Sequence, residues 1–125
     1  MSARQIRVLI VDDHPLTRET VQTMLSILEN VVCVGSAATG REAYLLAART
    51  RPDVILMDVM MPTVDGIATG RAILRVLPRT SIILMSGETG ANFHWREALP
   101  QAHAFLTKPL DLQELQTALQ QATSL

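Results

Sequence analysis

Short apolar runs alternate along this chain with segments whose apolar residues recur at helical spacing. Ile6-Arg7-Val8-Leu9-Ile10-Val11, Val54-Ile55-Leu56-Met57 and Ile82-Ile83-Leu84-Met85 are almost continuously apolar, the pattern of strands buried on both faces. With two weaker runs they predict strands over 6–11, 31–36, 53–57, 81–85 and 103–106. Helices are predicted over 15–29, 39–50, 65–77, 90–99 and 111–122. Val21, Met24, Leu25 and Leu28 form the stripe of the first; Leu112, Leu115, Ala118, Leu119 and Ala122 form that of the last. The ends carry their own signals. Pro15 suits a first helical turn with a polar cap before it, Asp65-Gly66 opens the third helix and Pro78 closes it, and Asp111 caps the fifth. The fourth helix, between Gly87 and Pro100, has the poorest periodicity. Strands alternating with helices predict a parallel α/β sheet covered on both faces, with strands one, three and four at its centre.

Bulk properties narrow the class. At 125 residues the chain reads as one domain, 1–125. A chain of this size buries about two-thirds of its unfolded surface, so it needs neither disulfide nor structural metal to hold its core. The net charge of −1 makes no case for nucleic acid or an anionic membrane. The lone Cys33 lies in an apolar run, reads as core, and suits a reducing cytoplasm. No signal peptide and no membrane span is read from the chain.

Chemistry gathers at the strand ends. Asp12 and Asp13 follow the first predicted strand, Asp58 the third, Ser86 the fourth and Lys108-Pro109 the fifth. Open α/β sheets place their ligand sites outside the carboxyl ends of their strands. Singly, an Asp there is often a helix cap, Ser86 a turn residue and Lys108 a solvated cation; their joint occurrence is the signal. Three carboxylates within a few ångströms repel by roughly 4 kcal/mol per close pair at an effective dielectric near 20. A divalent cation relieves this, and Mg²⁺ is the hard cation that combines one or two carboxylates with water and phosphate oxygens. One carboxylate can then attack phosphorus to give an acyl phosphate. Lys108 and Ser86 are donors for the phosphoryl oxygens.

Val-Asp-Asp-His-Pro at 11–15, Met-Asp-Val-Met-Met-Pro at 57–62 with Asp65-Gly66, Ser86-Gly87 and Lys108-Pro109 together resemble the receiver domain of bacterial two-component response regulators. The resemblance spans essentially the whole chain. It implies a flavodoxin-like (βα)5 fold, a five-stranded parallel sheet in order 2-1-3-4-5. It implies Asp58 as phosphoacceptor, with Asp13, Asp58 and the Met60 carbonyl as direct Mg²⁺ ligands and Asp12 acting through metal-bound water. It implies Lys108 on the phosphoryl group, a cis peptide bond before Pro109, and Ser86 with Phe105 as the switch pair. The implied partners are a histidine kinase or phosphotransfer protein and, after phosphorylation, a second copy of the chain through residues 88–122. Such a domain is a cytoplasmic signalling switch and not an enzyme on a separate substrate; it catalyses only its own phosphorylation and dephosphorylation. No helix-turn-helix output is read within these residues.

Other classes fit less well. Haloacid dehalogenase-type phosphotransferases carry a second Asp two residues after the nucleophile, where this chain has Met60. A flavodoxin-like cofactor binder needs a phosphate loop after the first strand, where Asp12-Asp13 would repel a phosphate. A degenerate receiver serving only for docking is the remaining alternative, and the complete set at 12, 13, 58, 86 and 108 counts against it. His14 reads mainly as a surface turn residue, Arg71, Arg75 and Arg79 as a solvated helix face, and Trp95 as either satellite core or a partner anchor.

Overall fold

The computed structural model describes residues 4–60, 66–87 and 94–123. Its elements are β1 (Ile6–Val11), α1 (Pro15–Ile27), β2 (Val31–Ala37), α2 (Gly40–Thr50), β3 (Val54–Asp58), α3 (Gly66–Val76), β4 (Ser81–Ser86), α4 (Trp95–Ala98), β5 (Ala104–Thr107) and α5 (Leu112–Thr123). All four strand pairings are parallel, in the order β2-β1-β3-β4-β5. This is the expected flavodoxin-like sheet, with β1, β3 and β4 inside it. The chain order reverses beside β1, between β2 and β3, so the carboxyl ends of β1 and β3 face the crevice where such sheets carry their chemistry.

Alternation along each central strand builds two cores. Leu9, Val11, Ile55, Met57, Ile82 and Leu84 pack with Ala43 and Ala47 of α2, Ile67 and Ile73 of α3, and Leu99. Val8, Ile10, Val54, Leu56, Ile83 and Met85 pack with Val21 and Leu25 of α1 and with Leu115, Ala118 and Leu119 of α5. The strand period of two sends these sets to opposite faces, which requires helices on both. Cys33 is only half-buried, since β2 is an edge strand.

Element ends follow local chemistry. Thr39 caps α2 by accepting the Glu42 amide at 3.1 Å, and Asp111 caps α5 by accepting the Glu114 amide at 2.9 Å. At the amino-terminal rim of the sheet, Arg7 donates to the Thr50 and Arg51 carbonyls at 2.6 and 3.0 Å, where α2 leaves carbonyls unpaired. Asp53 accepts the Arg7 amide at 2.9 Å and Arg4 at 2.5 Å.

The boundaries correct several expectations. α1 stops at Ile27, two residues short of the predicted end, and Asn30 turns the chain at φ 62°. The third, fourth and fifth strands each run one residue further than predicted, so Asp58 and Ser86 are final strand residues. Their carbonyls and amides are thereby held in or beside the ladder, which fixes the side chains more tightly than a loop would. Asp65 and the expected fourth-helix segment 90–93 lie outside the described residues. Among the described residues, no helix is long and apolar enough to cross a membrane.

Candidate functional site

β1 and β3 pair from Val8↔Val54 to Val11↔Met57. That register puts Asp12 beside Asp58 without any loop having to bend. Asp12 is held in place by its amide, which bonds the Ala37 carbonyl at 3.0 Å and extends the β1–β2 ladder by one residue. Its side chain is fully buried, and Asp58 is only 3% exposed. Two carboxylates almost out of water and side by side require a counter-charge.

Lys108 supplies one. Its Nζ lies 2.5 Å from Asp12 Oδ2 and 3.2 Å from Asp58 Oδ2. It reaches them from the turn after β5, where its own amide is held by the Ser86 carbonyl at 2.8 Å and the following peptide bond to Pro109 is cis as expected. Ser86, 2% exposed, thus ties β4 to the lysine's backbone. The Asp58 carboxyl also accepts the Met60 amide on Oδ1 at 3.0 Å. Burial raises the pKa of Asp58 above its ordinary value, and the Asp12 charge adds to this; the Met60 amide and the Lys108 charge pull the other way without cancelling it. For Lys108 burial acts downward, but the hydrogen bond to Asp12 and the charges of Asp58 and Asp12 outweigh it and raise its pKa.

The lysine does not reach the third carboxylate. Asp13 Oδ1 is buried and has no hydrogen-bond partner among the described residues. The His14 Nδ1 stands 3.3 Å from it, and 3.3 Å from Asp12 Oδ1 as well. Asp12, Asp13, His14 and Asp58 can each bring one donor atom within 4.8 Å of the others. A buried oxygen with an unused lone pair, beside two more carboxylates, fits a divalent cation held mainly by oxygen. Asp12, Asp13 and Asp58 would hold it, and the Met60 backbone is adjacent.

Three further residues belong here, of which the sequence pattern had singled out Gly66 only as part of a helix start and motif. His14, expected as a surface turn, does sit at the N-cap of α1 but makes no side-chain cap; its ring turns to the carboxylates instead. Arg18, one turn into α1, donates to the Asp12 carbonyl at 2.7 Å and fixes the peptide between the two aspartates. Gly66 is the third: a Cβ there would overlap the Asp58 carbonyl and lie 3.0 Å from Val59 Cα, so only glycine lets α3 begin this close to β3.

Phe105 is brought near but not into the cluster. It is partly buried against the α2–α3 core, with its ring stacked on Trp95 at 6.2 Å and 22°. Trp95 is therefore satellite core in this structure. Arg71 is no freely solvated residue either, since it donates to the Ala98 carbonyl at 2.6 Å and ties α3 to the end of α4. Among the described residues, a Cβ added to Gly87 would meet nothing within 4 Å. A cleft lined by Arg51, Pro52, Asp53, Arg79 and Thr80 lies at the other end of the strands, remote from the carboxylates.

Comparisons with known proteins find relatives of the whole fold. The profile of the response regulator receiver domain matches residues 8–120. Response regulator GacA of Pseudomonas aeruginosa is 35% identical over 116 residues, covering 93% of this chain and 54% of that protein. Protein-glutamate methylesterase/protein-glutamine glutaminase 2 of Methanospirillum hungatei is 45% identical over 82 residues, 66% of this chain and 23% of that protein. The crystal structure of the response regulator domain of Thermotoga maritima CheB superimposes with a TM-score of 0.84 at 34% identity, covering 95% of this chain and 96% of that one. The chain spans about half the length of the first of these curated relatives and less of the second.

Proposed function

The chain belongs to the response regulator receiver domain family, and from that premise we propose that residues 1–125 are one phosphorylation-dependent switch with Asp58 as its acceptor. The observation that carries this is the bridge from Lys108 to Asp12 Oδ2 and Asp58 Oδ2, with Asp13 Oδ1 left over. A fold needing only a salt bridge has no use for the third carboxylate.

An oxygen of Asp58 attacks the phosphorus of a phosphohistidine on a histidine kinase or phosphotransfer protein. The P–O bond forms as the P–N bond breaks, and the departing imidazole takes a proton from water. Mg²⁺ held there would supply positive charge against the carboxylates and the phosphoryl oxygens. Asp13 and Asp58 would be its direct carboxylate ligands and Asp12 would act through a metal-bound water, while the Met60 amide holds Asp58 by Oδ1. Lys108 exchanges its contact with Asp58 for one with a phosphoryl oxygen, and the Ser86 hydroxyl donates to another. Phe105 turns inward behind Ser86, which changes the face made by α4, β5 and α5. That face, within 88–122, then takes a partner or a second copy of the chain. The donors are cytoplasmic proteins, which sets the location.

Incubation with acetyl phosphate and Mg²⁺ should give a single phosphoryl adduct in the intact mass, labile to hydroxylamine and absent in Asp58→Asn. A full adduct on Asp58→Asn would overturn the assignment. The docking-module reading instead expects no adduct on the wild-type chain.

A further inference from the structure

We propose that His14 is a ligand in the acidic pocket, which therefore accepts a borderline divalent cation, Zn²⁺ or Ni²⁺, in a mode distinct from that for Mg²⁺. The inference rests on reading the carboxylates as a metal site and adds a donor of different chemistry to it.

The ring is where a ligand would be, and not where a helix cap would be. His14 occupies the N-cap of α1 with extended backbone at φ −92° and ψ 115°, yet its side chain makes no cap bond. Its amide donates to Asp12 Oδ1 at 2.9 Å, which pins the residue over the cluster. Nδ1 then lies 3.3 Å from Asp12 Oδ1 and 3.3 Å from Asp13 Oδ1.

Lys108 and the Met60 amide divide the other oxygens. Lys108 takes Oδ2 of both Asp12 and Asp58, and the Met60 amide takes Asp58 Oδ1. That leaves Asp12 Oδ1, which accepts only the His14 amide among the described backbone donors, together with His14 Nδ1 and Asp13 Oδ1, the last buried and without a hydrogen bond among the described residues. With Asp58 included, four donor atoms fall within 4.8 Å of one another.

Donor type decides which cation each arrangement favours. Carboxylate, carbonyl and water oxygens suit Mg²⁺, whereas an imidazole nitrogen shifts preference towards Zn²⁺ and Ni²⁺. Zn²⁺ also accepts four-coordinate mixed nitrogen and oxygen sets. The His14 side chain is 66% exposed, so it can close on a cation or swing away without disturbing either core. With Mg²⁺ it stays outside the ligand set; with Zn²⁺ it joins.

The test is metal titration of the full chain at pH 8 with MgCl₂ and, separately, ZnCl₂, for the wild type and His14→Gln. Calorimetry is paired with ¹⁵N spectra of the histidine rings. Loss of the imidazole should weaken Zn²⁺ by about tenfold or more while Mg²⁺ changes by less than about twofold. The His14 Nδ1 resonance should move on Zn²⁺ and hardly at all on Mg²⁺. Cys33, His94 and His103 can take zinc elsewhere, so the assigned His14 resonance decides. A silent His14 ring, or equal zinc affinity in the variant, overturns the inference even where Mg²⁺ binds and Asp58 is phosphorylated normally. Failure of the wild type to bind Mg²⁺ would remove the metal site itself, and this inference with it.

Discussion

The three aspartates are chemically equivalent in the sequence and very different in the structure. Asp12 is fully buried and paired to Lys108, Asp58 is nearly buried and shares that lysine, and Asp13 keeps an oxygen without a hydrogen bond among the described residues. Asp58 has the measurable consequence. Its folded-state pKa is raised, by burial first, so its contribution to stability is present below its unfolded value and is lost as pH rises through the folded value. In chelator, Asp58→Asn should therefore melt higher than the wild type near neutral pH. That advantage should shrink as the pH falls through the folded pKa of Asp58. Thermal unfolding of both proteins across the acid range checks the sign; a gain that grew on acidification would contradict it. Asp12, Asp13, Asp58, Ser86 and Lys108 were legible because each follows an apolar run. His14 and Arg18 were not, since their roles depend on where a rotamer and a helix turn send the side chain, which spacing alone does not state.

At the scale of elements, the short α4 is held at both ends. Leu99, fully buried, packs where Gly70 leaves room: a Cβ on Gly70 would come within 3.2 Å of Leu99 Cδ2 and 3.3 Å of Ile82 Cδ1. Arg71 bonds the Ala98 carbonyl, and Trp95 stacks on Phe105 with the Arg96 guanidinium 4.8 Å from its ring centre. Any inward turn of Phe105 must break that stack, which contributes about 0.5–1.5 kcal/mol beyond buried area. Trp95→Leu should lower the melting point by several degrees and make the response of the 94–107 region to beryllofluoride occur at lower concentration. Hydrogen exchange reads the second effect. An unchanged response would mean that the stack does not restrain the switch. Among the described residues the fourth helix has a weak stripe because Trp95 and Leu99 bury themselves against Phe105 of β5 and beside Gly70 of α3.

The whole molecule separates its charges along the sheet. Carboxylates crowd the carboxyl ends of β1 and β3, while at the amino ends the Arg4 guanidinium neutralises Asp53, which also accepts the Arg7 amide. Unfolding disperses the first group, so a cation that binds it stabilises only the folded chain. Saturation at a hundred times the dissociation constant adds about 2.7 kcal/mol. For a chain of this size that is a rise of roughly 10 °C in melting point. Unfolding in MgCl₂ and in chelator measures it, and identical curves would rule out a metal at the cluster.

The alternation of apolar runs and helical stripes by itself determined the α/β class and the central strands, because burial on two sheet faces leaves a strong mark on sequence, and the polar residues after those runs marked the edge where the carboxylates gather. Four spaced motifs carried the family and the strand order. What only the tertiary structure decided lies between elements: which oxygens Lys108 takes, that Asp13 Oδ1 is left over, that the His14 ring closes on the carboxylates, and that Arg71 and Trp95 fasten α4. Those are matters of a few ångströms and one rotamer. They are set by the parallel register of β1 and β3 and by the close approach that Gly66 permits, and no local pattern in the chain encodes a distance between residues 46 or 96 positions apart.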